Sequence, residues 1–325
     1  MNIQTTFRKI KGGVFIRNIE RWKIHQLCKP YRVKLYNYCM PAPQDFWLSR
    51  FIEAKGLGGN KKIGIFSVFD RPWTIKIHHC DYKLFFAREN VHRYQWRRYN
   101  NLCIDNPDID LSIGYDYIEN NEKYLRFPLW IIWLFSPNAT YYDIQQICKE
   151  MNNSNSSYRD KKFCSFICSH NDVGRYKIYK ELSQVSRIDC PGKLFHNDDS
   201  LVKEFQDNKL LYLKNYRFNL CPENSNTIGY CTEKIFEAIS SGCIPIYNGS
   251  GNNPEPDILN INSLILFNFE DDNANLISRL RKLNSNESSY MNFVSQQKLL
   301  NSAPDRIMEY YSSLEIRLRD IIKNS

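Results

Sequence analysis

Tyr216-Arg217-Phe218-Asn219-Leu220-Cys221-Pro222-Glu223-Asn224-Ser225, then Gly229-Tyr230-Cys231-Thr232-Glu233-Lys234, then Gly242-Cys243-Ile244-Pro245-Ile246-Tyr247-Asn248-Gly249, is the stretch that decides the fold of this chain. It reads as strand, polar loop, helix, strand. Residues 216–221 are an aromatic and apolar run suited to a buried strand, and Pro222 stops it because proline has no N–H for a ladder. The loop 223–231 is polar and is expected to be exposed. Thr232 is placed to cap a helix whose apolar stripe is Ile235, Ala238 and Ile239. Gly242 suits the end of that helix, and residues 243–247 read as the next buried strand. Lys234 falls in the first turn, where the helix dipole disfavours a cation. An anion such as a phosphate, held between the ammonium and the free N–H groups, would resolve the conflict. Glu233 beside it can accept hydrogen bonds from sugar hydroxyls. In an open α/β sheet, ligands bind beyond the carboxyl ends of the strands, which is where these side chains stand.

The 325 residues suffice for two domains with separate cores, and 42% hydrophobic with 14% aromatic residues fits a globular chain. The eleven cysteines include no Cys-x-x-Cys pair, which fits reduced thiols in a cytoplasmic protein. Residues 129–135 are intensely apolar but too few to span a membrane, and the N-terminus has no signal-peptide core. The net charge of +9 is concentrated in residues 1–34, which hold nine basic residues and the single acid Glu20. Interleaved with Phe7, Phe15 and Trp22, this arm suits peripheral contact with an anionic membrane or an acidic glycan; a solvated basic extension accounts for it equally well.

Apolar runs at 33–38, 63–69, 82–87 and 111–114, with 124–135, make an α/β first half, and 45–53 reads as an amphipathic helix. The polar segment 152–157 is the expected linker. A new strand at 163–168 opens a second α/β half. Ile307, Tyr310, Leu314, Leu318 and Ile321 have helical spacing, on a helix expected to cross back onto the first half. The expected organisation is a basic arm at 1–34, an acceptor-binding domain at 35–157, a nucleotide-sugar domain at 158–300 and a C-terminal helix at 301–325.

The central stretch resembles the α-1,3-fucosyltransferases of glycosyltransferase family 10. Phe218, Leu220, Glu223, Asn224, Ser225, Tyr230, Thr232, Glu233, Lys234, Pro245 and Gly249 match that family's pattern; Pro222 stands where phenylalanine is usual. Segments 86–90, 116–118, 124–129, 163–169 and 189–193 are similar to further family segments in the same order. The resemblance implies a GT-B fold, two facing Rossmann-like domains with the active site in the cleft between them. It implies inverting transfer of L-fucose from GDP-β-L-fucose to a hydroxyl of GlcNAc or Glc in an N-acetyllactosamine-like glycan. Glu89 is then the general base, with a salt bridge to Arg88 or a nearby arginine as its ordinary alternative. Arg175 and Lys234 stabilise the diphosphate, Asn224 and Tyr230 contact the nucleotide, and Glu233 holds sugar hydroxyls. Glu223 is either a donor ligand or a structural residue. The family's animal members carry an N-terminal anchor that this chain lacks, so a bacterial-type, soluble enzyme is expected.

No cofactor and no divalent metal are expected, and no nucleic-acid partner. Asp108-Ile109-Asp110 spells an Asp-x-Asp, but such spacing is common by chance, and His78-His79 on a strand would point to opposite faces. Acceptor-binding residues and the choice of O3 or O4 are not readable here. The alternatives are another nucleotide sugar on the same fold, α-1,4 regiochemistry, or a polyanion-binding protein without activity.

Overall fold

The computed structural model describes residues 31–36, 45–69, 71–99, 101–154, 157–172 and 174–323. The basic arm therefore lies outside the described residues, apart from residues 31–34. Two five-stranded sheets organise the chain. The first carries β1 (Val33–Tyr36), β2 (Ile63–Phe66), β3 (Tyr82–Phe86), β4 (Leu111–Gly114) and β5 (Tyr124–Arg126) in sequential order. The second carries β6 (Lys162–Ser165), β7 (Ile188–Asp189), β8 (Tyr216–Pro222), β9 (Ile244–Asn248) and β10 (Ile265–Leu266) in the order β10-β9-β8-β6-β7. Every strand pair is parallel. Parallel sheets are buried on both faces, which is why β2 and β9 are unbroken runs without alternation. This is the GT-B architecture, two α/β halves meeting at a cleft. In the second sheet, β6 lies between β7 and β8, so the connections leave it in opposite directions. That switch point opens a crevice at the carboxyl ends of β6 and β8.

Several expectations need correction. The strand at 63–69 ends at Phe66 and the one at 163–168 ends at Ser165, because the residues beyond leave the ladder for the cleft loops. Residues 129–135, readable as a buried strand or a helix, hold a single helical turn, Ile131–Leu134. Asn152, expected in the linker, closes the helix Tyr141–Asn153. Its side chain accepts from the N–H groups of Lys298 and Leu299 and donates to the Leu299 carbonyl. The cores are not separate either. One apolar cluster runs from Leu35, Ile63 and Leu84 of the first sheet through Trp130 to Phe236 and Tyr247 of the second half.

The C-terminal helix, Ala303–Lys323, lies on the first half. Tyr311 packs edge-on against Trp47 at 5.6 Å and Phe51 at 6.0 Å, and its hydroxyl donates to the Ser136 carbonyl. Trp130 joins the halves, stacked on Phe236 at 4.4 Å and fully buried. Trp130→Ala is expected to lower stability by about 3–5 kcal/mol, measured by urea denaturation. A loss within 1 kcal/mol, roughly the scatter of surface substitutions, would show that this stack does not bind the halves together.

Candidate active site

β8 ends at Pro222, paired with Asn248 of β9, and delivers Glu223 into the crevice. The loop that follows is exposed, as its polarity suggests, only at its middle: Asn226 and Ile228 are exposed, whereas residues 229–232 are buried. Gly229 explains why. Its φ is +79°, and a Cβ there would lie 2.6 Å from the Tyr115 carbonyl oxygen, so the loop lies directly on the first half. Its N–H donates to Ser250 Oγ. Fully buried Asn90 ties the same loop from the other side. Its amide donates to Ser225 Oγ and Thr227 Oγ1, and its carbonyl accepts from the Tyr115 hydroxyl at 2.6 Å.

The motif helix runs Glu233–Ser240, with Ile235, Ala238 and Ile239 buried and Gly242 at φ +80° closing it. Thr232 holds the N-cap position, but its side chain does not cap. Glu223 instead holds Thr232 and Lys234 in place. Its Oε1 accepts the Thr232 N–H at 2.8 Å, and its Oε2 accepts the Thr232 hydroxyl at 2.8 Å and Lys234 Nζ at 2.8 Å. Lys234 also donates to Thr232 Oγ1 at 2.7 Å and stands 3.8 Å from Glu233. Burial opposes the Lys234 charge, but Glu223 and then Glu233 outweigh it, so its pKa is raised and it stays an ammonium. The anion that the sequence seemed to demand is thus supplied inside the protein. Glu223 is 2% exposed, beneath Lys234 and away from the cleft surface, while Glu233 and Lys234 line the cleft.

Arg175 opens the helix Arg175–Leu182 behind Gly174, at φ +84°. It is buried, donating to the His170 carbonyl and to Asn224 Oδ1, each at 2.7 Å, and pairing with Asp172 at 3.2 Å. Its Nε is buried without a partner. Asp172 also pairs with Arg93 of the first half at 2.9 Å. Arg175, Asn224, Glu233 and Lys234 are therefore brought to one crevice. Tyr230 is buried, edge-on to Tyr115 at 5.1 Å.

Glu89 follows β3 and is half-buried. It has no hydrogen-bond or ion-pair partner among the described residues. Arg88, the ordinary alternative, turns away to stack over Trp133 at 4.8 Å and Phe46 at 5.7 Å. Burial raises the Glu89 pKa, opposed by the positive charges of Arg93, Arg88 and Lys234. Lys234 is thus within electrostatic reach of Glu89 across the cleft. The small pocket beside Arg175, Glu233 and Lys234 is walled by residues of the second half.

Asn90, Asp172 and Arg93 were missed as cleft residues. Asn90 adjoins Glu89 in a segment that stands out, but its partners lie 135 and 137 residues away. Asp172 carries no sequence signal at all. Among the described residues, no three His, Cys, Asp or Glu side chains converge on a metal position. Asp110 instead accepts the Lys83 N–H, and His78 stacks on Tyr36 beyond the end of a short helix, not on a strand. No helix among the described residues is long and apolar enough to cross a membrane.

The model of the C-terminal domain of glycosyltransferase family 10 (fucosyltransferase) matches residues 156–311. The model of the α-(1,3)-fucosyltransferase FucT N-terminal domain matches residues 36–133. α-(1,3)-Fucosyltransferase FucT of Helicobacter pylori is 31% identical over 43% of this chain and 34% of its own length. α-(1,3)-Fucosyltransferase B of Drosophila melanogaster is 30% identical over 56% and 43%. The chain thus matches less than half the length of either relative. Crystal structures of an α1,3-fucosyltransferase superpose with TM-scores of 0.52 with GDP-fucose and 0.53 without a named ligand. They cover 78% and 79% of this chain and 77% and 80% of theirs, at 22% and 21% identity. With both halves matched in order, the chain belongs to glycosyltransferase family 10.

Proposed function

We propose that the chain transfers L-fucose from GDP-β-L-fucose to O3 of a GlcNAc or Glc unit in an N-acetyllactosamine-like glycan, with inversion. Glu89 takes the proton of the acceptor hydroxyl while that oxygen attacks the anomeric carbon. The bond from that carbon to the β-phosphate oxygen breaks, and GDP leaves with the electron pair. Lys234 and Arg175 stabilise the growing negative charge. No metal step is part of this reading.

One observation carries it: Glu89, a half-buried carboxylate without a partner among the described residues, lies in the field of Arg93, Arg88 and the cleft-lining Lys234. A carboxylate left unpaired beside three cations is a poor structural device and a serviceable base. The relatives' names, and the GDP-fucose in a similar structure, support the choice of donor. Arg175 reaches a diphosphate by exchanging Asn224 or Asp172 for phosphate oxygens, and its unpartnered Nε is a donor ready for one.

Glu89→Gln is expected to lower kcat by about 10²–10⁴-fold, the usual worth of a general base, with GDP-fucose affinity unchanged by calorimetry. A variant with wild-type kcat would remove Glu89 from the mechanism. A base must be ionised, so kcat/KM falls as pH drops through the Glu89 pKa. Burial places that limb above the pKa of an unperturbed glutamate, about 4.3. Arg93 pulls the pKa down, so Arg93→Met is expected to move the limb to higher pH in a pH–rate profile. A shift to lower pH, or none, would contradict this assignment.

Lys234→Met leaves the buried Glu223 charge unpaired, at a cost of about 3–5 kcal/mol, and weakens donor binding. Adding Glu223→Gln is expected to restore most of the stability without restoring donor affinity, read by denaturation and titration with GDP-fucose. Recovery of both together would mean that Lys234 acts only as a structural partner.

A further inference from the structure

A cavity of about 510 Å³ shares no lining residue with the pocket beside Lys234. That is within the range of small-molecule clefts. His92, Asp116, Tyr117 and Ile118 of the first half wall it, and Ile228 of the motif loop closes one side. Its chemistry differs from that of the donor crevice. None of its described lining residues is lysine or arginine, so nothing there would hold a phosphate.

It offers groups of another kind. Asp116 Oδ1 meets His92 Nε2 at 2.9 Å, while Asp116 Oδ2 is buried with no partner. An orphaned carboxylate oxygen is costly and invites a donor. The Tyr117 ring is half-exposed, braced by the Arg126 guanidinium 4.1 Å from its centroid. Ile118 and Ile228 add exposed aliphatic surface. A free acceptor, an imidazole, a flat ring and aliphatic walls together suit a neutral sugar, which has hydroxyls at its edge and C–H groups on its faces.

The cavity is mechanically joined to the reaction site. His92 lies edge-on to Tyr115 at 6.4 Å, and Tyr115 edge-on to Tyr230 at 5.1 Å. Ile228 sits beside Gly229, which is pressed onto the Tyr115 carbonyl, in the loop that leads to Lys234. Two ring contacts separate the cavity from the motif.

We propose that this cavity is a remote acceptor subsite, binding a neutral sugar unit of the glycan beyond the one that receives fucose. The inference rests on the fucosyl-transfer reading. It predicts that a longer acceptor is used at lower KM than a short one.

Two variants test it. Asp116→Asn keeps the side-chain size and removes the orphan acceptor; Asp105→Trp fills the mouth from an exposed rim position. Steady-state kinetics with GDP-fucose compare N-acetyllactosamine with a linear tetrasaccharide of two such units. Both variants are expected to raise KM for the tetrasaccharide by about tenfold, as for one lost hydrogen bond to a charged group. KM for the disaccharide and kcat should stay as in the wild type. An unchanged ratio of the two KM values in both variants would overturn the proposal. If the wild type transfers no fucose to either, the parent reading fails, and titration of the tetrasaccharide alone still decides the cavity. Binding to the wild type that Asp105→Trp abolishes supports a glycan site; equal binding, or none, refutes it.

Discussion

The Glu223 carboxylate, buried where β8 ends, answers three donors at once: the Thr232 N–H, the Thr232 hydroxyl and the Lys234 ammonium. A negative charge is what a helix N-terminus favours, and it is also what allows a lysine into the first turn. Without Glu223, Lys234 would be a desolvated cation beside the positive end of a dipole, and would discharge or swing out. The position of the ammonium in the cleft and of Thr232 at the start of the motif helix follow from this contact, while Gly229 and Asn90 hold the rest of the loop inward. The arrangement also limits the site. Lys234 already has Glu223, and Arg175 and Arg93 share Asp172. A diphosphate bound there would therefore compete with carboxylates for these cations.

The seam between the halves serves the proposed chemistry through geometry. Asn90 is the neighbour of Glu89 and is bonded to Ser225 and Thr227 in the motif loop. The carboxylate on one half is thereby held at a set distance from the lysine on the other. Such positioning is a large part of what an enzyme contributes when two reactants must meet. The apolar continuity through Trp130 and Phe236 supports the same seam from below. A second tie runs from Arg126 to Glu255, a buried pair with both carboxylate oxygens engaged.

Much of the fold was legible in the sequence because its signals are local. Unbroken apolar runs such as residues 63–66 and 244–248 are what strands covered on both faces require. The stripe Ile235, Ala238, Ile239 and the turn glycine Gly242 bounded the motif helix correctly. The spacing of Ile307, Leu314 and Leu318 marked the C-terminal helix. What failed depended on distant parts of the chain. The loop 223–231 looked exposed throughout because its own residues are polar; Asn226 and Ile228 are exposed, but the end from Gly229 is covered by Tyr115 and Ser250, far away in sequence. Lys234 appeared to need a ligand anion because Glu223 was eleven residues off and on another element. Asn90 and Asp172 gave no sign of their roles, since a polar residue shows its partner only in three dimensions. The shared core was hidden for the same reason: length permits two cores but does not say whether they touch.

The most direct measurement mixes the purified protein with GDP-fucose, with and without N-acetyllactosamine, and follows GDP release together with the anomeric proton signals of the product. The account expects release that depends on the acceptor, and an α-linked fucose formed from the β-linked donor. Release that ignores the acceptor, a retained β configuration, or turnover of GDP-mannose or a UDP-sugar in place of GDP-fucose would contradict it.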